Sequence, residues 1–391
     1  MTSPWIKRFS EERINVYNLK DASISTINHP VCKQADVDLA VKIANEAFET
    51  GPWPTFSGAQ RRACLNKLAD LLEENVDEAA QLIMEIPWIA RVFRYYARWC
   101  DKLEGESYTD DHGFYKIVRH EPIGVWFPPR VFQIVTGDGG TGALLSSHID
   151  IHKVSFTDSI PIGQKILGAA NRSNMKRVTL ELGGKSPALV FEDADLPKAI
   201  DGAYVQEEVA ERLIAGIKAN FEKIAEGLGS DPQSQGTIFG PVVDRAQYEN
   251  IHAIIEQGKK EATLVTGGYR FDGEGFFVPP TLFVNPQPEA RIYKEEIFGP
   301  AVCVRTFKTE DEAVAMANDS RCGLAAYIFT ETTRRTLRIA KRLRAGTVGV
   351  NAISQLFPQT PFGGYKQSGQ GRGLGKYALY DFTEPKTIFI R

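Results

Sequence analysis

No stretch of this chain is apolar for the length a membrane span needs, and neither sign of charge dominates. Its 46 Lys and Arg face 49 Asp and Glu, a net charge of −3. That balance gives no electrostatic case for nucleic acid or an acidic membrane as partner. The opening MTSPWIKRFSEERINVY lacks the apolar core of a secretory signal, so a cytoplasmic protein is the expectation. Cysteine is sparse. The five, Cys32, Cys64, Cys100, Cys303 and Cys322, include no CxxC pair, and their odd number points to reduced thiols. The six histidines contain no HExxH. His148 and His152 sit four apart in SSHIDIHKV, but that stretch runs into a strand-like KVSF and reads as a loop, so no metal site is expected.

What is present is an ordinary globular composition, 43% hydrophobic and 24% charged over 391 residues, enough for two or three domains. QADVDLAVKIANEAF (34–48) has helical periodicity with Asp36 at its cap, and Ser57 to Ile86 reads as a second, longer helix. FYKIVRHEPIGVW (114–126) alternates as a hairpin strand would. Short apolar runs then alternate with helical ones: FQIVTG with TGALLSSH, KVSFT with PIGQKILGAA, RVTLEL with a turn and ALVF. This rhythm predicts a parallel α/β sheet. A second α/β stretch follows, with helices at 206–226, 244–260, 309–318 and 331–343, and TEPKTIFIR (383–391) ends the chain as a strand.

Four segments carry chemistry. VTLELGGKSPALVF (178–191) sets Glu181 between two leucines, just before a pair of glycines. A carboxylate in an apolar strand is costly unless paired or put to use, and a raised pKa would suit a general base. TGDGGTG (136–142) satisfies GxGxxG at Gly137, Gly139 and Gly142, a pattern that can cradle a pyrophosphate but is weak alone. KEEIFGP (294–300) puts two acids before an aromatic on a rigid turn, and PFGGYKQSGQGRGLG (361–375) is a glycine-rich loop.

Together these stretches resemble the NAD(P)-dependent aldehyde dehydrogenase superfamily. FRYYARWCDKLEGE, RHEPIGV, FPPRVFQIVTG, SSHIDIHKVSFT, VTLELGGKSP, EEIFGP, CGLAAYIFT and PFGGYKQSGQGR run in the family's order. The resemblance implies an aldehyde dehydrogenase-like α/β fold. An incomplete Rossmann-like cofactor domain (1–105 and 126–183) would join an α/β catalytic domain (184–377) and a β oligomerisation arm (106–125 and 378–391). It implies oxidation of a small aldehyde to a carboxylic acid with NAD or NADP, in a homodimer or higher homo-oligomer. In the family a cysteine thiolate attacks the aldehyde, hydride passes to the nicotinamide, and water hydrolyses the thioester. Glu181 matches the family's general base. Glu296 and Phe298 match residues that hold the nicotinamide ribose and ring. Thr157 and Ser159 fall in the segment that meets the pyrophosphate, and Gly137 and Leu182 join the cofactor-binding set.

Three segments depart from the family. The FxNxGQxC segment that should follow EDADLPKAI is missing, and DGA (201–203) joins directly to YVQEEVAERL. EPIGV (121–125) should lead to the asparagine that donates to the oxyanion and to the ribose-binding lysine, but Trp126 runs straight into FPPRVF. Loss of such a donor alone typically costs about 100- to 1,000-fold in rate. A shorter junction lies near MEIPWIARVF (84–93). The family's FTGS is FTDS here, with Asp158 facing the pyrophosphate, and Gly373 and Lys376 stand where many relatives carry glutamates. Cys303, in AVCVRTF, and Cys322, in a turn before Gly323, both read as structural. The expectation is an impaired dehydrogenase. The alternatives are an inactive homologue that partners an intact relative, or a sequence joined across coding segments that the active enzyme retains.

Overall fold

The computed structural model describes residues 10–76, 86–124, 134–199, 204–234, 236–353 and 355–391. An antiparallel pair, β1 (Arg13–Tyr17) and β2 (Ile24–Pro30), leads to the helices Gln34–Glu49, Gly58–Glu74 and Ile86–Ala97. β3 (Glu106–Asp111) and β4 (Phe114–Pro122) form a hairpin, and the helix Gly139–Ser147 follows. β5 (Lys153–Asp158) and β6 (Arg177–Leu182) flank the helix Ile160–Ser173. β7 (Ala188–Val190) and β8 (Tyr204–Gln206) precede the helices Ala210–Ala225 and Arg245–Glu261. Then come β9 (Thr263–Thr266), β10 (Thr281–Val284), a short helix Arg291–Lys294 and β11 (Ala301–Phe307). β12 (Cys322–Gly323) and β13 (Ala325–Phe329) follow the helix Glu310–Asn318, and β14 (Thr347–Val350) follows Thr333–Ala340. The glycine-rich loop carries β15 (Tyr365–Lys366) and β16 (Gly369–Gln370). A turn of helix, Tyr377–Tyr380, then leads to β17 (Thr383–Ile390).

Three sequence expectations change. The helix predicted over 57–86 ends at Glu74, where Asn75 donates from Nδ2 to the Leu71 carbonyl at 2.7 Å and satisfies a helix-end acceptor. Ile86 opens another helix. The predicted strand FQIVTG makes no ladder from Ile134 on, and its first residues lie outside the described ones. The junctions at 125–126 and 203–204 also border or fall on residues outside the described set. Cys322 belongs to a two-residue strand paired with β15, not to a bare turn.

The largest sheet has seven strands in the order β14-β13-β7-β8-β11-β10-β9, parallel except for the β9 edge. Alternation along its strands explains why helices cover both faces. Ala188 and Val190 of β7 pack with Leu213 and Ile217 on one side, whereas Leu189 and Phe191 pack with Ala313 and Ile339 on the other. A three-stranded sheet, β16-β6-β5, borrows β16 from late in the chain, and among the described residues β5 has no second neighbour. The third main sheet, β17-β4-β3, pairs β17 with β4 along its whole length, from Thr383 opposite Pro122 to Ile390 opposite Tyr115.

One buried group makes the core sensitive to acid. The His252 ring is 1% exposed, stacks edge-on against Tyr248 with centroids 4.5 Å apart, and finds no hydrogen-bond partner for either nitrogen among the described residues. Burial lowers its pKa from the ordinary 6.5, helped by Arg270 and opposed by Glu249 and Glu256. The native state therefore holds the ring neutral, and the unfolded chain binds the extra proton below pH 6.5. That stability is present above 6.5 and lost as pH falls. His252→Phe should melt above the parent at pH 5 and close to it at pH 8; a gap independent of pH would contradict this origin.

Candidate active site

Glu181 lies in β6 between two ladders, opposite Thr157 of β5 and Gly369 of β16. Its neighbours Leu180 and Leu182 are buried at 5% and 6% exposure and take the other face, so the pleat turns the acid toward the glycine-rich loop. A β-carbon at Gly363 would sit 2.8 Å from Arg372 Cδ and 2.9 Å from Glu181 Oε1, so a side chain there would crowd the acid. Both carboxylate oxygens are buried, and neither makes a well-formed hydrogen bond among the described residues, although the Gly373 and Gly364 amides lie close enough to act on them. Loss of water raises the pKa to about 7, against partial lowering by the Gly373 and Gly364 amides and the Arg372 guanidinium. A carboxyl poised there is suited to take a proton at neutral pH.

Sequence reading missed the residue that pins this arrangement. Ser368 is fully buried; its hydroxyl donates to the Gly183 carbonyl at 2.6 Å and accepts from the Gly323 amide at 2.9 Å. Its own carbonyl accepts from Leu182 N at 2.8 Å. One serine thus clamps the end of β6, the glycine-rich loop and β12 together. A lone hydroxyl among glycines was the signal available.

A second acid closes the far end of β6. A β-carbon at Gly183 would overlap the Glu296 carboxylate, so Gly183 is required by close approach. Burial raises the Glu296 pKa and Asp158 adds to the rise, while the Gly184 amide and Lys185 oppose it. Lys185 is itself pushed down by burial and donates from Nζ to the Ile292 carbonyl at 3.2 Å, tying the turn after β6 to the segment that carries Glu296. Phe298 is held in the left-handed region (φ 53°) with its ring 69% exposed, and its carbonyl accepts from Gln247 Nε2 at 2.6 Å. Thr157 and Asp158 are exposed at the end of β5, and Ser159 begins the next helix without capping it by its side chain. Glu181, Thr157, Asp158 and Glu296 therefore gather at the carboxyl ends of β5 and β6, where open α/β sheets bind ligands.

Two members of the sequence-based set sit differently. Gly137 opens no empty cradle: Asp138 caps the helix and accepts from the Gly140 and Thr141 amides at 2.9 and 3.2 Å, filling the donors a phosphate would use. Thr141 in turn donates to the Cys32 carbonyl at 2.7 Å, tying this helix start to the segment just before the first helix. The Leu182 side chain packs on Gly163 under the helix Ile160–Ser173, so its side chain faces away from the strand-end edge.

Cys303 and His148 are engaged within the fold. Burial raises the Cys303 thiol to about 11, and its Sγ donates to the Ile292 carbonyl at 3.6 Å. His148 Nδ1 accepts from Asp150 N at 3.1 Å and its Nε2 lies 3.2 Å from Asp38. Among the described residues no cluster of His, Cys, Asp and Glu could hold a metal.

The sequence profile of the aldehyde dehydrogenase family matches in three stretches, residues 5–127, 126–204 and 202–388. Aldehyde dehydrogenase 1A1 of Gallus gallus is 38% identical over 439 aligned positions, 92% of this chain and 86% of that protein. An aldehyde dehydrogenase of Emericella nidulans is 34% identical over 473 positions, covering 100% of this chain and 94% of its own length. The NAD+ complex of aldehyde dehydrogenase from Bacillus cereus superposes with a TM-score of 0.91 at 32% identity, covering 98% of this chain and 94% of that one. Fold and matches together define a mixed α/β oxidoreductase scaffold. More narrowly, the chain belongs to the aldehyde dehydrogenase family.

The buried acid gives a stability test. Because its folded pKa of about 7 exceeds the ordinary 4.5, its contribution is intact below 4.5 and lost as pH rises through 7. Glu181→Gln should therefore gain about 1–2 kcal/mol at pH 8, allowing for residual solvent, and little at pH 4. Urea unfolding at the two pH values checks this, and equal gains at both would contradict it.

Proposed function

We propose that this chain is an aldehyde dehydrogenase-family subunit that keeps the general base and the nicotinamide edge but has lost the nucleophile, and so oxidises aldehydes to acids poorly or not at all. The observation that carries this is where the family match breaks. It divides at 126–127 and at 202–204, the junctions where the oxyanion asparagine and the cysteine segment are missing from the sequence. The Emericella nidulans alignment runs over 473 positions, more than the 391 residues available here, so stretches of that relative have no counterpart in this chain. Among the described residues β5 has no second neighbour, which agrees with strands lost at the first junction. Glu181 alone cannot replace the thiolate, because a base activates a nucleophile and does not form the carbon–sulfur bond.

The strand-end residues fit NAD or NADP at the nicotinamide end, where Glu296 approaches a side-chain-free Gly183 and the Phe298 ring stands exposed. When bound, the cofactor supplies the hydride acceptor. Glu296 and Phe298 would orient its ribose and ring, and Thr157 and Ser159 would meet its phosphates. Asp158 opposes the phosphates, since like charges about 4 Å apart repel by roughly 1–4 kcal/mol between water and a protein surface. The protein is a cytoplasmic one on this reading, with no nucleic-acid partner; among the described residues no helix is long and apolar enough to cross a membrane.

A role as oligomer partner is favoured by β17, whose Phe389 and Ile390 are 64% and 49% exposed on an edge strand. Such an edge invites pairing with another sheet. A homodimer or higher homo-oligomer, or a heteromer with an intact relative, would cover it symmetrically.

Steady-state NADH formation over several aldehydes should stay at background. Turnover abolished by Cys303→Ala or Cys322→Ala would contradict the loss of the nucleophile. Size-exclusion chromatography with light scattering should give a dimer or larger species, and a stable monomer would mean that the β17 sheet does not assemble this protein.

A further inference from the structure

Asp381 stands at the turn between the helix Tyr377–Tyr380 and β17, outside the residues that resemblance assigns to the site. Its Oδ2 accepts from the Arg372 amide at 2.9 Å and from the Thr179 hydroxyl at 3.4 Å. The same Thr179 hydroxyl is bonded by the buried Lys153 ammonium, whose Nζ lies 4.5 Å from the centroid of the Phe382 ring. Gly371 follows the same geometry from the other side. Its φ is +82°, and a β-carbon there would lie 2.7 Å from Asp381 Oδ2 and 2.8 Å from Thr179 Cγ2. The loop is thus drawn down onto β6, with Gly369 opposite Glu181, Gln370 opposite Leu180, and Gly373 bridged to Phe362.

We propose that Asp381 is a latch: by holding the Arg372 amide against Thr179 it keeps the Gly369–Gly373 loop closed over Glu181, and it couples attachment of the C-terminal strand to the burial of that carboxylate. Asp381 is a positioning residue, since it acts on Glu181 through the loop. The inference rests on Glu181 as the base of the site, but its test reads the carboxylate itself and not turnover. The charged groups facing Glu181 are Arg372 from the loop and Asp381 from the turn. Asp381 is faced in turn by Lys153 of β5.

The test follows the Glu181 carboxyl by carbon-13 NMR in protein labelled with [5-13C]glutamate, its signal identified by loss in Glu181→Gln. In Asp381→Ala the released loop admits water, and the midpoint should fall from about 7 toward the ordinary 4.5, by roughly one unit or more. Asp381→Asn keeps an oxygen for the Arg372 amide and should shift it by less than half as much. If Asp381→Ala does not fold, Gly371→Ala, which wedges a methyl against the latch, should give the same fall. An unmoved midpoint in a folded Asp381→Ala or Gly371→Ala protein would overturn the latch. Equal shifts in Asp381→Ala and Asp381→Asn would also overturn it, by reducing the effect to charge alone. An aldehyde-oxidising protein with the predicted shifts would sink the functional reading and leave the latch standing.

Discussion

A carboxylate kept from water, eased only in part by two nearby amides and one guanidinium, is unstable where it stands, so the walls around Glu181 must be held by bonds made elsewhere. The Ser368 hydroxyl bonds Gly183 on one side and Gly323 on the other, and Asp381 ties Arg372 to Thr179. A side chain at Gly363 would crowd Arg372 and Glu181, and one at Gly371, held at φ +82°, would strike the Asp381–Thr179 pair. Remove these contacts and the loop opens; water would then return the acid to its ordinary range, and a neutral-pH proton acceptor would be lost. The energy that keeps Glu181 poised is drawn from the surrounding fold.

That fold is rigid where it needs to be. β6 leaves the small sheet and the chain enters the seven-stranded one within a few residues, so the turn Gly183–Pro187 joins two platforms. Lys185 crosses it to the Ile292 carbonyl, and the half-buried acid Glu296 stands just past the helix Arg291–Lys294. Behind, the sheet buries Leu189, Phe283 and Ile328 without measurable exposure. Strand ends anchored in such a core hold their side chains more precisely than a loop could.

Much of this was legible in the residues, because local chemistry dictated it. The 3.6-residue periodicity of 34–48 and 244–260 and the alternation in KVSFT and RVTLEL became helices and strands close to where they were expected. Glu181 stood out as an acid among leucines. What escaped depended on partners far along the chain. Asp381 meets Thr179 across 202 positions and Ser368 meets Gly183 across 185, and no window of sequence contains both members of either pair. The glycine turn at 137–142 is a different matter. Its pattern fits a phosphate cradle, but the acid inside it, Asp138, satisfies the same amides at no cost in chain entropy beyond the turn itself.

On the proposed reading, a base kept without its nucleophile would leave a protein with the shape of a dehydrogenase and half of its chemistry. Cys303 cannot restore the other half while burial keeps its thiol protonated at about 11. The most direct measurement is a rapid-quench experiment: the protein is mixed with NAD+ and an aldehyde, stopped within the first turnover, and mapped by peptide mass spectrometry for an acyl group on sulfur. The expected result is no burst of NADH and no acylated cysteine. A stoichiometric thioester on Cys303 or Cys322, appearing with the burst, would contradict it.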